Sequence, residues 1–248
     1  MLVAKHRIRA AARPDFINSL PVMISVHVPK TGGVAFRSIL HAIYGRTLCL
    51  RYGKPDEKEK RDLPVIPANT RCIHGHFASD AFDNILPNKA LITWIRHPVQ
   101  QVVSTYRHFL RNPDPANRSS RMLHDKRLSL REFAALDGIR NITTGYFLKN
   151  RRLDDFFFLG ITEHFDLSIA LFLSLMGIKM DLRMPRLNAD RFRRRASVLP
   201  EEDLRQISLL NRQDIEWYEE ALRQFTKAAG AISPGLPEVR EPHPIRHE

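Results

Sequence analysis

Cysteine is scarce, acid is in short supply, and no apolar run is long enough to cross a membrane. Only Cys49 and Cys72 occur in 248 residues. Two cysteines make no disulfide framework, and a reducing compartment, the cytoplasm, is the expected location. No C-x-x-C pair and no H-E-x-x-H helix is present, so no metal site is expected. No stretch approaches the roughly 20 apolar residues of a membrane span. The basic stretch 1–16 lacks the apolar centre of a signal peptide and is read as a floppy arm. Against 39 Lys and Arg stand only 27 Asp and Glu, a net charge of +12. That excess calls for an anionic partner, whether nucleotide, acidic glycan, nucleic acid or membrane surface, without choosing among them.

What is present is organised around residues 22–44. Val22, Ile24, Val26 and Val28 alternate with Met23, Ser25 and His27, the period of a strand rich in β-branched residues. Pro29 ends that strand because it cannot donate to a ladder. Lys30-Thr31-Gly32-Gly33 follows, and then Phe36, Ile39, Leu40 and Ile43 recur at helical spacing, with Gly45 just past the end as a cap. A strand, a Gly-rich turn carrying a lysine, and a helix can form a phosphate cradle. The glycines let backbone approach an anion, and the first helical amides point at it. The same turn can equally use glycine for geometry alone. The Walker A pattern is absent, since the lysine precedes the glycines.

Further along, 47–52 reads as a short strand and 53–61 as a charged exposed loop. Residues 74–77 spell HGHF, and positions two apart in an extended segment share a side. His74 and His76 therefore either line one cleft together or sit as a pair in a structural turn. Residues 89–96 read as a buried strand, and Pro98 opens a helix with Val99, Val102, Val103, Tyr106 and Leu110 on its apolar face. Arg96 thus lies at a strand's carboxyl end, where α/β sheets bind ligands, or else simply pairs with a carboxylate. Ser104 lies two turns into that helix. Ser129 is placed as a cap for a helix to Leu136, 141–148 as a helix, and 155–161 as a core strand. Thr162 is expected to cap a buried helix over 163–176, closed by Gly177, and 199–229 to form a long C-terminal helix. Six arginines crowd 183–195. One domain over 22–229 is expected, between an arm, 1–21, and a Pro-rich tail, 230–248.

Strand-PKTGG-helix, then HGHF, then WIRHPVQQVVSTY, then FLGITEHFD resembles the carbohydrate sulfotransferases of the heparan and chondroitin sulfate type. The resemblance spans residues 22–225 and implies an α/β, P-loop-like three-layer fold with a central, mainly parallel sheet. It also implies 3′-phosphoadenosine 5′-phosphosulfate (PAPS) as donor and adenosine 3′,5′-bisphosphate (PAP) as product. Lys30, Thr31, Gly32, Gly33, Val34 and Ala35 would hold the 5′-phosphosulfate, and Arg96 and Ser104 the 3′-phosphate. His76 would be the base that takes the acceptor proton, His74 its supporting partner, and 188–195 would fold over the donor. The chemistry of the residues agrees: a lysine can stabilise a leaving phosphate, and an imidazole suits proton removal near neutral pH. Surplus arginines in 183–195 either face an anionic saccharide acceptor or form a solvated charge run; no stable nucleic-acid complex is expected. Val34 departs from the small hydroxyl residue usual there, and Gln100-Gln101 from a commonly charged pair, read as peripheral. No apolar segment resembles the anchor of the Golgi members, which implies a soluble enzyme.

Two other functions compete. A P-loop-like phosphotransferase using ATP and magnesium is weakened by the missing Walker A loop and by the lack of an Asp at a strand end. A non-catalytic basic module for glycan or nucleic acid explains the charge but not HGH or two separate anion loops.

Overall fold

A computed structural model describes residues 10–11, 19–52, 65–180 and 199–232. In chain order the elements are β1 (Ala10–Ala11), β2 (Val22–Val26), α1 (Gly33–Tyr44), β3 (Leu48–Arg51), β4 (Cys72–Gly75) and β5 (Lys89–Ile95). They continue with α2 (Pro98–Arg111), α3 (Arg118–Asp125), α4 (Leu130–Ala134), β6 (Phe156–Ile161), α5 (Phe165–Leu175), β7 (Lys179–Met180), α6 (Glu201–Leu210) and α7 (Arg212–Ile232). Five strands form a parallel sheet in the order β3-β4-β2-β5-β6. Helices flank it, and the architecture is the α/β one expected, with a parallel central sheet.

Both faces of β2 are covered: Ile24 and Val26 on one and Met23 and Ser25 on the other are almost fully enclosed, so burial does not follow the apolar alternation. On the second face α1 and α5 pack through Phe36, whose ring lies 5.1 Å from Trp94 and 5.2 Å from Phe172. A second core contains no strand residue. It joins α2, α3, α4 and α6 through Val99, Val102, Leu123, Phe133 and Ile207. Cys49 and Cys72 are unpaired: Cys72 is in register with Leu48, so alternation turns the two thiols to opposite faces.

Several expectations change. Thr162 caps nothing: residues 162–164 form a short turn, and the helix starts at Phe165. Its hydroxyl instead lies 2.8 Å from the Thr31 carbonyl oxygen and 2.7 Å from that of Ile95, tying β5 and β6 to the turn after β2. The C-terminal helix is two helices. Asn211 breaks it, because its side-chain oxygen accepts from the Asn141 amide at 2.9 Å. Residues 143–147 form a π-helical turn. The buried Asp214 carboxylate accepts its amides from Thr143 and Thr144, at 3.0 and 2.8 Å. Leu110 and Leu175 are exposed rather than buried, since they end their helices beyond the core. Part of the N-terminal arm is paired: β1 lies antiparallel to β7. The arginine-rich stretch 183–195 lies outside the described residues, as do 53–61 and most of the tail.

Gly75 is a point of close approach. A Cβ there would lie 1.7 Å from the Arg51 carbonyl oxygen of β3. That oxygen also accepts the His76 amide at 2.9 Å. Gly75→Ala should cost about 3 kcal/mol through overpacking against backbone, a fall in Tm of roughly 6–12 °C for a chain of this size. Thermal unfolding by circular dichroism measures it. A fall below about 2 °C would show that β3 moves aside.

Candidate active site at the carboxyl edge of the sheet

Because all five strands run parallel, their carboxyl ends line one edge. Tyr52 follows β3, His76 follows β4, His27 to Lys30 follow β2, Arg96 and His97 follow β5, and Thr162 and Glu163 follow β6. Adjacency of β4, β2 and β5 brings HGH, the PKTGG turn and Arg96 side by side, although they are far apart in sequence.

The turn is tightly built. Lys30 has φ 68° and Gly32 φ 88°, both left-handed, and only the glycine does so without a steric penalty. Thr31 is fully buried and its hydroxyl donates to the Val28 carbonyl at 2.7 Å. Its side chain is therefore engaged in the turn. Gly32 is the N-cap of α1, with no side-chain cap and no acid in the first turn. Among the described residues, no carbonyl meets the amides of Gly33 and Val34, whereas Ala35 already donates to the Gly32 oxygen at 3.0 Å. The Val34 side chain is 66% exposed, so it takes no core space. Gly33 answers to a neighbour as well as to any anion: a Cβ on it would lie 1.9 Å from Nε2 of His27.

Lys30 is half-buried. Burial lowers its pKa, and the Arg96 and Arg111 charges lower it further. Arg96 donates to the Lys30 carbonyl at 3.3 Å. Burial lowers the pKa of Arg96 too, with Glu163 opposing. The Glu163 carboxylate accepts from the His97 amide at 3.0 Å and from the Tyr218 hydroxyl at 3.1 Å, fastening the β5–α2 junction to α7. Ser104 is half-buried on α2; His108 and Arg111 follow it at spacings of four and seven, on the same helix face. His108 has its pKa lowered by burial and then by the Lys30 and Arg111 charges.

The histidines do not share a cleft. His74 is buried, with Nδ1 2.8 Å from the Ser25 hydroxyl. His76, just past the strand end, is exposed, and its Nδ1 lies 2.7 Å from the His27 carbonyl oxygen. Only a protonated Nδ1 can donate to that carbonyl, so the neutral ring presents Nε2 as an acceptor. Between them stacks His27, 5.1 Å from His74 and 4.4 Å from His76 by ring centroids. Tyr52 sets its ring edge-on to His76 at 4.9 Å. Burial lowers all three imidazole pKa values, His27 to about 2 and His74 to about 4. The site is therefore uncharged at His74 and His27, beside the basic side chains of Lys30 and Arg96.

Sequence reasoning missed His27, Tyr52 and Glu163, and took Gln101 as peripheral. Gln101 is buried, donates to the Pro29 carbonyl at 3.1 Å and accepts from the Thr143 hydroxyl at 3.0 Å. It holds the turn from beneath. His27 carried one usable signal: it sits at the carboxyl end of a strand, just before the Pro29-Lys30 turn.

No family model matches the chain, and no curated protein is found to be similar to it. Among solved structures the comparison finds the crystal structure of mouse sulfotransferase SULT7A1 complexed with PAP. The two are 13% identical over 79% of this chain and 68% of that chain, with a TM-score of 0.43. Likeness that distant leaves this chain's own chemistry to be argued from its residues.

Proposed function

We propose that this protein is a sulfotransferase that moves a sulfuryl group from PAPS to a hydroxyl of an anionic saccharide. One observation carries it: an exposed imidazole with its tautomer set by a backbone carbonyl stands on the same sheet edge as a lysine-bearing glycine turn that leads into a helix with no side-chain cap.

The residues present fit such a donor. The uncapped start of α1 and the half-buried Lys30 suit a phosphosulfate, and Arg96 with Ser104 suits a second phosphate at the adjacent strand end. When bound, the donor supplies an activated sulfuryl group and a phosphate leaving group. The Gly33 and Val34 amides would hold the anion, and the Lys30 ammonium would stabilise charge as it develops. His76 Nε2 would receive the acceptor's hydroxyl proton. The remaining contribution is alignment of the two substrates. The anionic character of the acceptor is supported by the arginine surplus in 183–195 and the +12 net charge.

Incubation with labelled PAPS and a panel of glycans and small hydroxyl compounds tests the activity. Label should enter an acidic saccharide. Binding of ATP with magnesium in preference to PAP, with no acceptor labelled, would overturn it. Arg96→Ala should weaken PAP by at least about tenfold, the loss of one charge-assisted contact, and leave adenosine 5′-monophosphate little changed. Calorimetry with both ligands separates the two, and equal losses would remove Arg96 from the 3′-phosphate.

A further inference from the structure

The His27 imidazole has no part in the chemistry above, yet it is the surface on which His76 rests. The two ring centroids are 4.4 Å apart with planes 28° apart. Its carbonyl holds the His76 Nδ1 proton at 2.7 Å. Its own Nδ1 lies 2.9 Å from the Tyr52 hydroxyl. Its Nε2 fills the space that a side chain on residue 33 would need. Tyr52, His74, His76 and Gly33 thus enclose the ring, and it has no room to turn away.

We propose that His27 is a positioning residue for His76: its carbonyl selects the nitrogen presented, and its ring is the neutral aromatic face that supports the His76 imidazolium. This rests on the reading of His76 as the base. In that step the acceptor's O–H bond breaks and its proton binds Nε2, while Nδ1 keeps its proton on the His27 carbonyl. His76 becomes a cation. A cation against a neutral π face is favoured, whereas one beside a second cation is not. His27 must therefore stay neutral throughout, and its surroundings secure that. Among the described residues, the groups facing it are His74 and His76 from the end of β4, Tyr52 beyond β3, Arg37 from α1 and Lys30 from the turn, none of them a carboxylate. Burial acts in the same direction and is the larger cause.

An NMR titration of the imidazole ring protons in the full-length protein tests this with no donor or acceptor present. His27→Phe keeps a neutral aromatic face; His27→Leu removes it at similar polarity. The His76 midpoint should fall by roughly 0.5 pH unit in His27→Leu, the loss of a weak cation–π contact. In His27→Phe it should stay within about 0.2 pH unit of the parent. The acid limb of kcat/KM should move with the midpoint. Equal displacement in both variants, or none in either, overturns the proposal. If leucine prevents folding, His27→Val gives the same contrast with phenylalanine. Midpoints as expected in a protein that labels no acceptor would sink the sulfotransferase function and leave the His27–His76 pairing standing.

Discussion

His76→Ala should lower the rate of sulfuryl transfer about 10²–10⁴-fold, the range for removing a positioned general base. PAP affinity should stay close to that of the parent. The reason is spatial: His76 projects from the end of β4 and hydrogen-bonds the His27 carbonyl, while the candidate anion-holding groups lie in the turn after β2 and at the end of β5. Pre-steady-state transfer and calorimetry measure the two quantities separately. A variant that loses PAP affinity as severely as rate would place His76 in the donor site. The pH profile gives an independent check. A base must be neutral to act, and burial lowers the His76 pKa from its ordinary 6.5, with the His27 carbonyl opposing. Transfer should therefore be constant at neutral pH and fall only as pH drops below about 6.5. An acid limb lying above that value would point to a different base.

Lys30→Ala should nearly abolish transfer. Losing a charge-assisted contact costs about 1.5–3 kcal/mol in binding, roughly 10–10²-fold in PAP affinity, and more where charge develops on the leaving phosphate. Arg96 does not substitute, because its guanidinium reaches back to the Lys30 carbonyl from the next strand. The fold should be little affected: alanine carries the same Cβ at φ 68°, so the backbone strain is unchanged. A Tm near the parent's with turnover gone is the expected pair of results. Near-normal turnover would remove Lys30 from the mechanism. Lys30→Arg should rescue poorly, since a planar fork replaces a compact charge in a half-buried site.

Much of the fold was legible because it is local. The alternation of 22–28, the proline that stops it and the helical spacing after Gly33 each depend on neighbours within a few residues, and they produced β2, the turn and α1 where expected. The long-range contacts were not legible. Thr162 has the composition of a cap, yet it bonds carbonyls of Thr31 and Ile95 because β6 lies beside β5. Asn211 and Asp214 sit inside a convincing helical period, and their partners, Asn141, Thr143 and Thr144, come from 70 or so residues earlier. Gln101 looked incidental on its helix until that helix packed under Pro29.

The sequence by itself determined the strand–turn–helix unit, the basic excess, the two strand-end cations and the presence of two histidines around a glycine. All follow from residue type and short-range spacing. Which histidine reaches solvent was decided only by the tertiary structure. By residue type and spacing alone His74 and His76 are equivalent, and only the resemblance separated their roles. Parallel pairing of β4 against β2 sets Ser25 opposite His74 and buries it, while β4 ends at Gly75 and releases His76 at the edge. The same pairing slides the His27 ring between them. A strand's neighbours decide burial, and those neighbours lie 49 residues away in the chain.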